Sequence, residues 1–230
     1  GPLVKAFRSS LLGEAQRQPD AELNLQKSSQ MLEESLGLKH ELTLESIRAL
    51  AEHYRRTNPN RAIDILEDLL SRTKEGKAME SMHLLGNTYQ VLNRHEDAVA
   101  VLNQCVEQKQ KFLGLDHHST VRTKGNLMLS LMEVGRLDDA MAIGEAMVAK
   151  GRTDIWTSGI VAKIYLRKKR YQDAIALVKG TRLPVGSSKL FGTEYAYLQT
   201  REVLAEAYQK AGQLDDAIAT REGMVSECKD

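Results

Sequence analysis

Apolar residues recur along this chain in amphipathic runs with three-to-four-residue spacing, broken by short polar turns. That period belongs to helices rather than strands. Five stretches share one framework: LAEHYRRTNPNRAIDIL (50–66), LGNTYQVLNRHEDAVAVL (85–102), LMLSLMEVGRLDDAMAI (127–143), VAKIYLRKKRYQDAIAL (161–177) and LAEAYQKAGQLDDAIAT (204–220). In each, an aromatic or Leu (Tyr54, Tyr89, Leu131, Tyr165, Tyr208) ends one run and an Ala (Ala62, Ala98, Ala140, Ala174, Ala217) opens the next. The gap between them is nine residues in the last four stretches and eight in the first. Ala-to-Ala steps of 36, 42, 34 and 43 residues predict stacked helix pairs, a solenoid. Pairs are expected near 3–36, 41–74, 77–112, 118–150, 154–181 and 192–228, in a single array over 3–230.

The Ala has a steric reason. It opens the second helix of a pair, where only a small side chain lets the first helix come close, while the Tyr or Leu fills the gap between neighbouring pairs. Gly135 and Gly212 stand where a helix turns off and suit the left-handed C-terminal position. Asp138-Asp139 and Asp215-Asp216 fall in the next first turn, where negative charge meets the helix dipole favourably. Their recurrence with the repeat makes them end-of-helix residues rather than catalytic carboxylates. Residues 180–191, GTRLPVGSSKLF, are the longest loop signal, read as an inter-repeat connection or a flap over a concave face.

Composition narrows the function. Lys plus Arg is 32 and Asp plus Glu 31, a balance that argues against a dedicated nucleic-acid binder. At 5% aromatic residues, the chain lacks platforms for stacking bases. No apolar run approaches the roughly 18–20 residues of a membrane span, and no secretory signal opens the sequence. Cys105 and Cys228 lie far apart and fit reduced thiols, so a cytoplasmic location is expected. Gly1-Pro2 looks like a tag scar, and the chain is expected to extend further upstream.

Candidate chemistry is sparse. Asp116-His117-His118 has no Cys or His one helical turn away to complete a ligand set, so it reads as a turn and no metal is expected. No phosphate-binding glycine loop or nucleophile elbow occurs, and neither a cofactor nor an enzymatic activity is expected. Met128, Met132, Met141 and Met147 cluster in one repeat, as core filler or, at Met132 above all, as an adaptable surface.

Two segments carry a family resemblance. LGLDHHSTVRTKGNLMLSLMEVGRLDDA (113–140) resembles the 42-residue tetratricopeptide repeat (TPR) variant of kinesin light chains through Leu113, Gly114, His117, Thr120, Asn126 and Leu127, followed by Gly135, Arg136 and Ala140. His118, Gly125 and Met128 depart from that pattern. LGLKHELTLESIRALAEHY (36–54) keeps Leu36, Gly37, His40 and Thr43. The resemblance implies an all-α, right-handed superhelical solenoid of about six antiparallel helix pairs. It implies a non-catalytic scaffold that binds a protein or linear peptide in a groove lined by each pair's first helix. The alternative is the sensor or oligomerisation array of a larger nucleotide-binding signalling receptor.

Projecting the repeat register from Ala51, Gly86, Met128, Ala162 and Ala205 yields candidate groove residues: Asn87, Gln90, Arg122, Asn126, Leu129, Trp156, Lys163 and Arg167. Amides offer a donor and an acceptor to an extended backbone, and the resemblance implies that Asn126 holds the peptide. Arg122, Lys163 and Arg167 favour acidic ligands. Trp156 is read either as an apolar anchor or as a side chain buried between repeats. The expected partner is acidic and partly hydrophobic, and the terminal helix near 214–228 is a candidate for self-association. The carboxylate clamp of chaperone-binding TPR arrays is disfavoured, because Trp156 and Ile160 stand where it needs a basic pair.

Overall fold

A computed structural model describes residues 21–151, 153–181 and 193–227. The first part of the helix pair expected near 3–36, the tag scar, Cys228 and nearly all of the 180–191 loop lie outside these residues. Among the described residues there are eleven α-helices and no strand. They are α1 (Ala21–Leu36), α2 (Glu41–Thr57), α3 (Pro59–Arg72), α4 (Met79–Val91), α5 (His95–Phe112) and α6 (His118–Glu133), then α7 (Leu137–Ala149), α8 (Ile155–Arg167), α9 (Tyr171–Gly180), α10 (Thr193–Lys210) and α11 (Leu214–Glu227). The chain divides after Phe112 into two compact units, α1–α5 and α6–α11.

Within each unit a first helix packs on the second helix of its own pair and on the preceding pair. The small residues sit where backbones approach. Ala62, Ala98, Ala140 and Ala174 are fully buried, and Ala217 nearly so. A Cβ on Gly86 would come within 2.5 Å of the Leu102 side chain, so α4 and α5 close to contact there.

The turns explain the spacing of the sequence pattern. In four of them the Tyr or Leu carbonyl accepts a 6→1 bond from the residue five positions on. These are Arg94 N–H to Tyr89 (2.9 Å), Arg136 to Leu131 (2.8 Å), Arg170 to Tyr165 (2.8 Å) and Gln213 to Tyr208 (2.9 Å). That closure requires a left-handed residue, supplied by Gly135 and Gly212 but also by Asn93 (φ 57°) and Lys169 (φ 60°). The first turn is one residue shorter because Asn58 serves both helices. Its N–H donates to the Tyr54 carbonyl at 2.7 Å, its side chain accepts from the Arg61 N–H at 3.3 Å, and Pro59 follows at the first helical position.

A polar bracket ties successive pairs together. Tyr89 on α4 donates its hydroxyl to Glu67 on α3 at 2.5 Å, and Arg94 lies over the Tyr89 ring at 4.6 Å. Arg170 lies 4.6 Å over Tyr165 and donates to Glu145 on α7 at 2.5 Å and to Asp173 at 2.6 Å. Burial and then the Glu67 hydrogen bond push the Tyr89 phenol up to about 12. Burial and the neighbouring Glu145 charge push Tyr165 up as well.

Candidate functional site

The candidate groove residues fall on the first helices: Asn87 and Gln90 on α4, Arg122, Asn126 and Leu129 on α6, and Trp156, Lys163 and Arg167 on α8. In the second unit α6, α8 and α10 pack side by side, so their outward faces adjoin. Trp156 is the joint between the first two. Its indole lies over Gly125, where even a Cβ would fall within 2.7 Å of the ring. Arg122 and Leu129 occupy the same helical face as Gly125, at three and four residues' spacing. The half-buried Trp156 ring therefore lies close to Arg122 and Leu129, with part of its surface open.

The charges on this face differ in their commitments. Arg167 is exposed but held: it donates to the Met132 carbonyl at 2.8 Å and to the Glu133 carboxylate at 2.9 Å. Arg122 is exposed and Lys163 half-buried, and neither has an ion-pair partner among the described residues. Asn126 lies deeper, 8% exposed, and makes a polar contact of its own. Leu129 is half-buried. Met128, Met132 and Met147 are buried, which makes them core filler.

The first unit presents a different surface. Asn87 and Gln90 are half-buried and both make polar contacts. On α2 the charges neutralise one another: Arg55 donates to Glu52 at 2.6 and 2.9 Å, Arg56 reaches the same carboxylate at 3.4 Å, and Arg48 pairs with Glu41 at 3.2 Å. Burial pushes the Glu52 carboxyl up, but the Arg55 hydrogen bond and the charges of Arg55 and Arg56 outweigh it and hold the group below its usual range.

The His117 turn serves the helix itself. His117 Nδ1 accepts the Ser119 N–H at 3.2 Å and caps α6, as His40 Nδ1 caps α2 by accepting from Leu42 at 3.3 Å. Among the described residues no group of three His, Cys, Asp or Glu could hold a metal ion. No described helix is long and apolar enough to cross a membrane.

Sequence reasoning noted Gly125 only as a departure from a repeat pattern, and it missed Glu133. The signal for Gly125 was a glycine inside a helix, costly unless something must approach. For Glu133 there was none, since its partner lies 34 residues away.

Residues 80–112 match the tetratricopeptide repeat family. That match spans one repeat, and the helix pairs have the fold of a TPR array. Kinesin light chain nearly identical TPR-like repeats from Podosopora anserina superpose with a TM-score of 0.65 at 23% identity, over 82% of this chain and 96% of that one. BtubC (BKLC) from P. vanneervenii superposes at 0.69 and 14% identity, over 92% and 90%. NprR, solved in complex with its cognate peptide NprX, superposes at 0.51 and 16% identity, over 99% and 74%. At these identities the likeness establishes the helix-pair fold. No curated protein matches the sequence.

Proposed function

We propose that this TPR array is a non-catalytic interaction module whose second unit binds an acidic, partly hydrophobic linear peptide across α6 and α8. One observation carries the reading: Arg122 and Lys163 are uncommitted cations on a face that also presents a half-buried tryptophan. On α2, by contrast, Arg55 and Arg56 are spent on the Glu52 carboxylate and Arg48 on Glu41. A peptide carboxylate could pair with Arg122 or Lys163 without breaking an existing bond, while an apolar side chain covers the open part of Trp156. Aromatic and arginine anchors of this kind dominate binding energy at interfaces. Leu129 extends the apolar surface, and the Asn126 amide is proposed as a contact to the peptide backbone. Asn87 and Gln90 on α4 are proposed as backbone contacts of the first unit. NprR supports the reading as an array of this fold bound to a peptide.

The test is a selection of peptides from a random display library on the immobilised chain, followed by titration of the selected peptide against Trp156, the sole tryptophan. Enriched acidic-aliphatic sequences that shift Trp156 emission are the expected result. Enrichment of basic or featureless sequences with no emission change contradicts it.

A further inference from the structure

The outer face of α11 is apolar where a helix facing only water would be polar. Leu214 (59%), Ile218 (55%) and Val225 (58%) are exposed, at i, i+4 and i+11, along one stripe. Arg221 falls within that stripe, but Glu202 at 2.9 Å and Gln209 at 3.3 Å draw its guanidinium aside, leaving its methylenes along the apolar line.

The repeat register shows what such a stripe is for. Counted from the tight-contact Ala, Ile218 occupies the position of Ile63 on α3 and Ile175 on α9, which are 4% and 7% exposed. Helices α4 and α10 pack on α3 and α9. Val225 corresponds to Leu70 and Val148, both half-buried. Glu222 corresponds to Glu67 and Glu145. Glu67 accepts the Tyr89 hydroxyl of the next helix, and Glu145 accepts from Arg170, five residues after Tyr165. Glu222 itself is exposed, with no hydrogen-bond or ion-pair partner among the described residues. The face thus offers the apolar stripe and the carboxylate acceptor that α3 and α7 use to receive a following helix. One position differs. Arg221 stands where α3 has the fully buried Leu66 and α9 has Val178, which weakens the seat.

We infer that the outer face of α11 is a reversible docking surface for an amphipathic helix carrying a tyrosine and, five residues later, an arginine. The tyrosine hydroxyl donates to Glu222, the arginine covers the tyrosine ring and reaches the same carboxylate, and the apolar side of the helix covers Leu214, Ile218 and Val225. Charge selects this occupant over a second copy of the chain. The border of the face carries exposed Glu206, Asp215 and Glu222 against Lys210, while Glu202 and Arg221 are paired with each other. Two-fold pairing would set acids against acids, whereas a helix with a basic end is complementary. The inference concerns a different surface from the proposed peptide site and stands apart from it.

The probe is a fluorescein-labelled peptide with the sequence of residues 154–170, DIWTSGIVAKIYLRKKR, which contains Tyr165 and Arg170. Fluorescence anisotropy against the full chain is expected to show saturable binding that Ile218→Asp weakens at least tenfold. Replacing the peptide tyrosine by phenylalanine should weaken binding several-fold to the natural chain and not to Glu222→Gln. Both substitutions are on exposed side chains, and an unchanged melting temperature checks that each variant is folded. Absence of binding, or binding indifferent to both substitutions, overturns the inference. So does a concentration-dependent dimer in sedimentation that Ile218→Asp abolishes, since the occupant would then be a second copy.

Discussion

A few side chains carry the strongest constraints. Gly125 exists to seat Trp156, so Gly125→Ala should displace the indole and destabilise the chain by about 1–3 kcal/mol through overpacking. Trp156 emission should move to the red, and an unchanged spectrum and melting temperature would refute the contact. Tyr89 makes a pH-dependent contribution. Its folded-state pKa is raised, so the stabilisation is complete below its ordinary value of 10.0 and is lost as pH rises towards about 12. Stability should therefore fall across that window in the natural chain. Tyr89→Phe should remove part of that fall, which denaturant unfolding at stepped alkaline pH would measure. His117 holds α6 through its unprotonated Nδ1. His117→Ala should cost about 1 kcal/mol of stability, and His117→Asn should recover most of it, because asparagine caps by the same acceptor geometry.

At the scale of the element, the turns say how much the sequence disclosed. The nine-residue interval from aromatic to Ala is the length of a helix end, a left-handed residue and a new first turn, and the 6→1 bonds from Tyr89, Leu131, Tyr165 and Tyr208 are its physical content. The eight-residue interval at Tyr54 reflects Asn58 acting as the end of one helix and the cap of the next. These features are local in sequence, and so they are legible there. Glycine was a dependable sign of the left-handed position at Gly135 and Gly212, but Lys169 adopts the same conformation without it. A left-handed non-glycine residue costs roughly 1–2 kcal/mol. Lys169→Gly should therefore stabilise the chain by up to about 1 kcal/mol, read as a higher melting temperature, while Gly135→Ala should lower it by a similar amount. The candidate site was legible only in part, because its state depends on reach across helices. Arg122, Lys163 and Arg167 look alike in sequence, yet Arg167 is captured by Glu133 and the Met132 carbonyl. Asn126 lies on the first helix of its pair as the register predicts, but its burial, 8% exposed, could not be read from the sequence.

Across the whole molecule, a formal net charge of +1 conceals local order. Among the described residues many basic side chains pair with neighbouring carboxylates within a pair or between adjacent pairs, as in Lys168 with Asp138 and Arg72 with Glu33. Such exposed pairs add little stability each, but they leave a surface whose uncommitted charges stand out. Arg122 and Lys163 are among the uncommitted cations, and what sets them apart is the half-buried Trp156 beside them. The proposal that this chain is a peptide-binding module rests on that combination. The decisive measurement is the affinity of a library-selected acidic peptide for the natural chain and for the Arg122→Ala/Lys163→Ala double variant at matched ionic strength. The account predicts at least a tenfold loss, about 1.4 kcal/mol, with the melting temperature unchanged because neither cation holds a structural ion pair. Equal affinity for both proteins would contradict it.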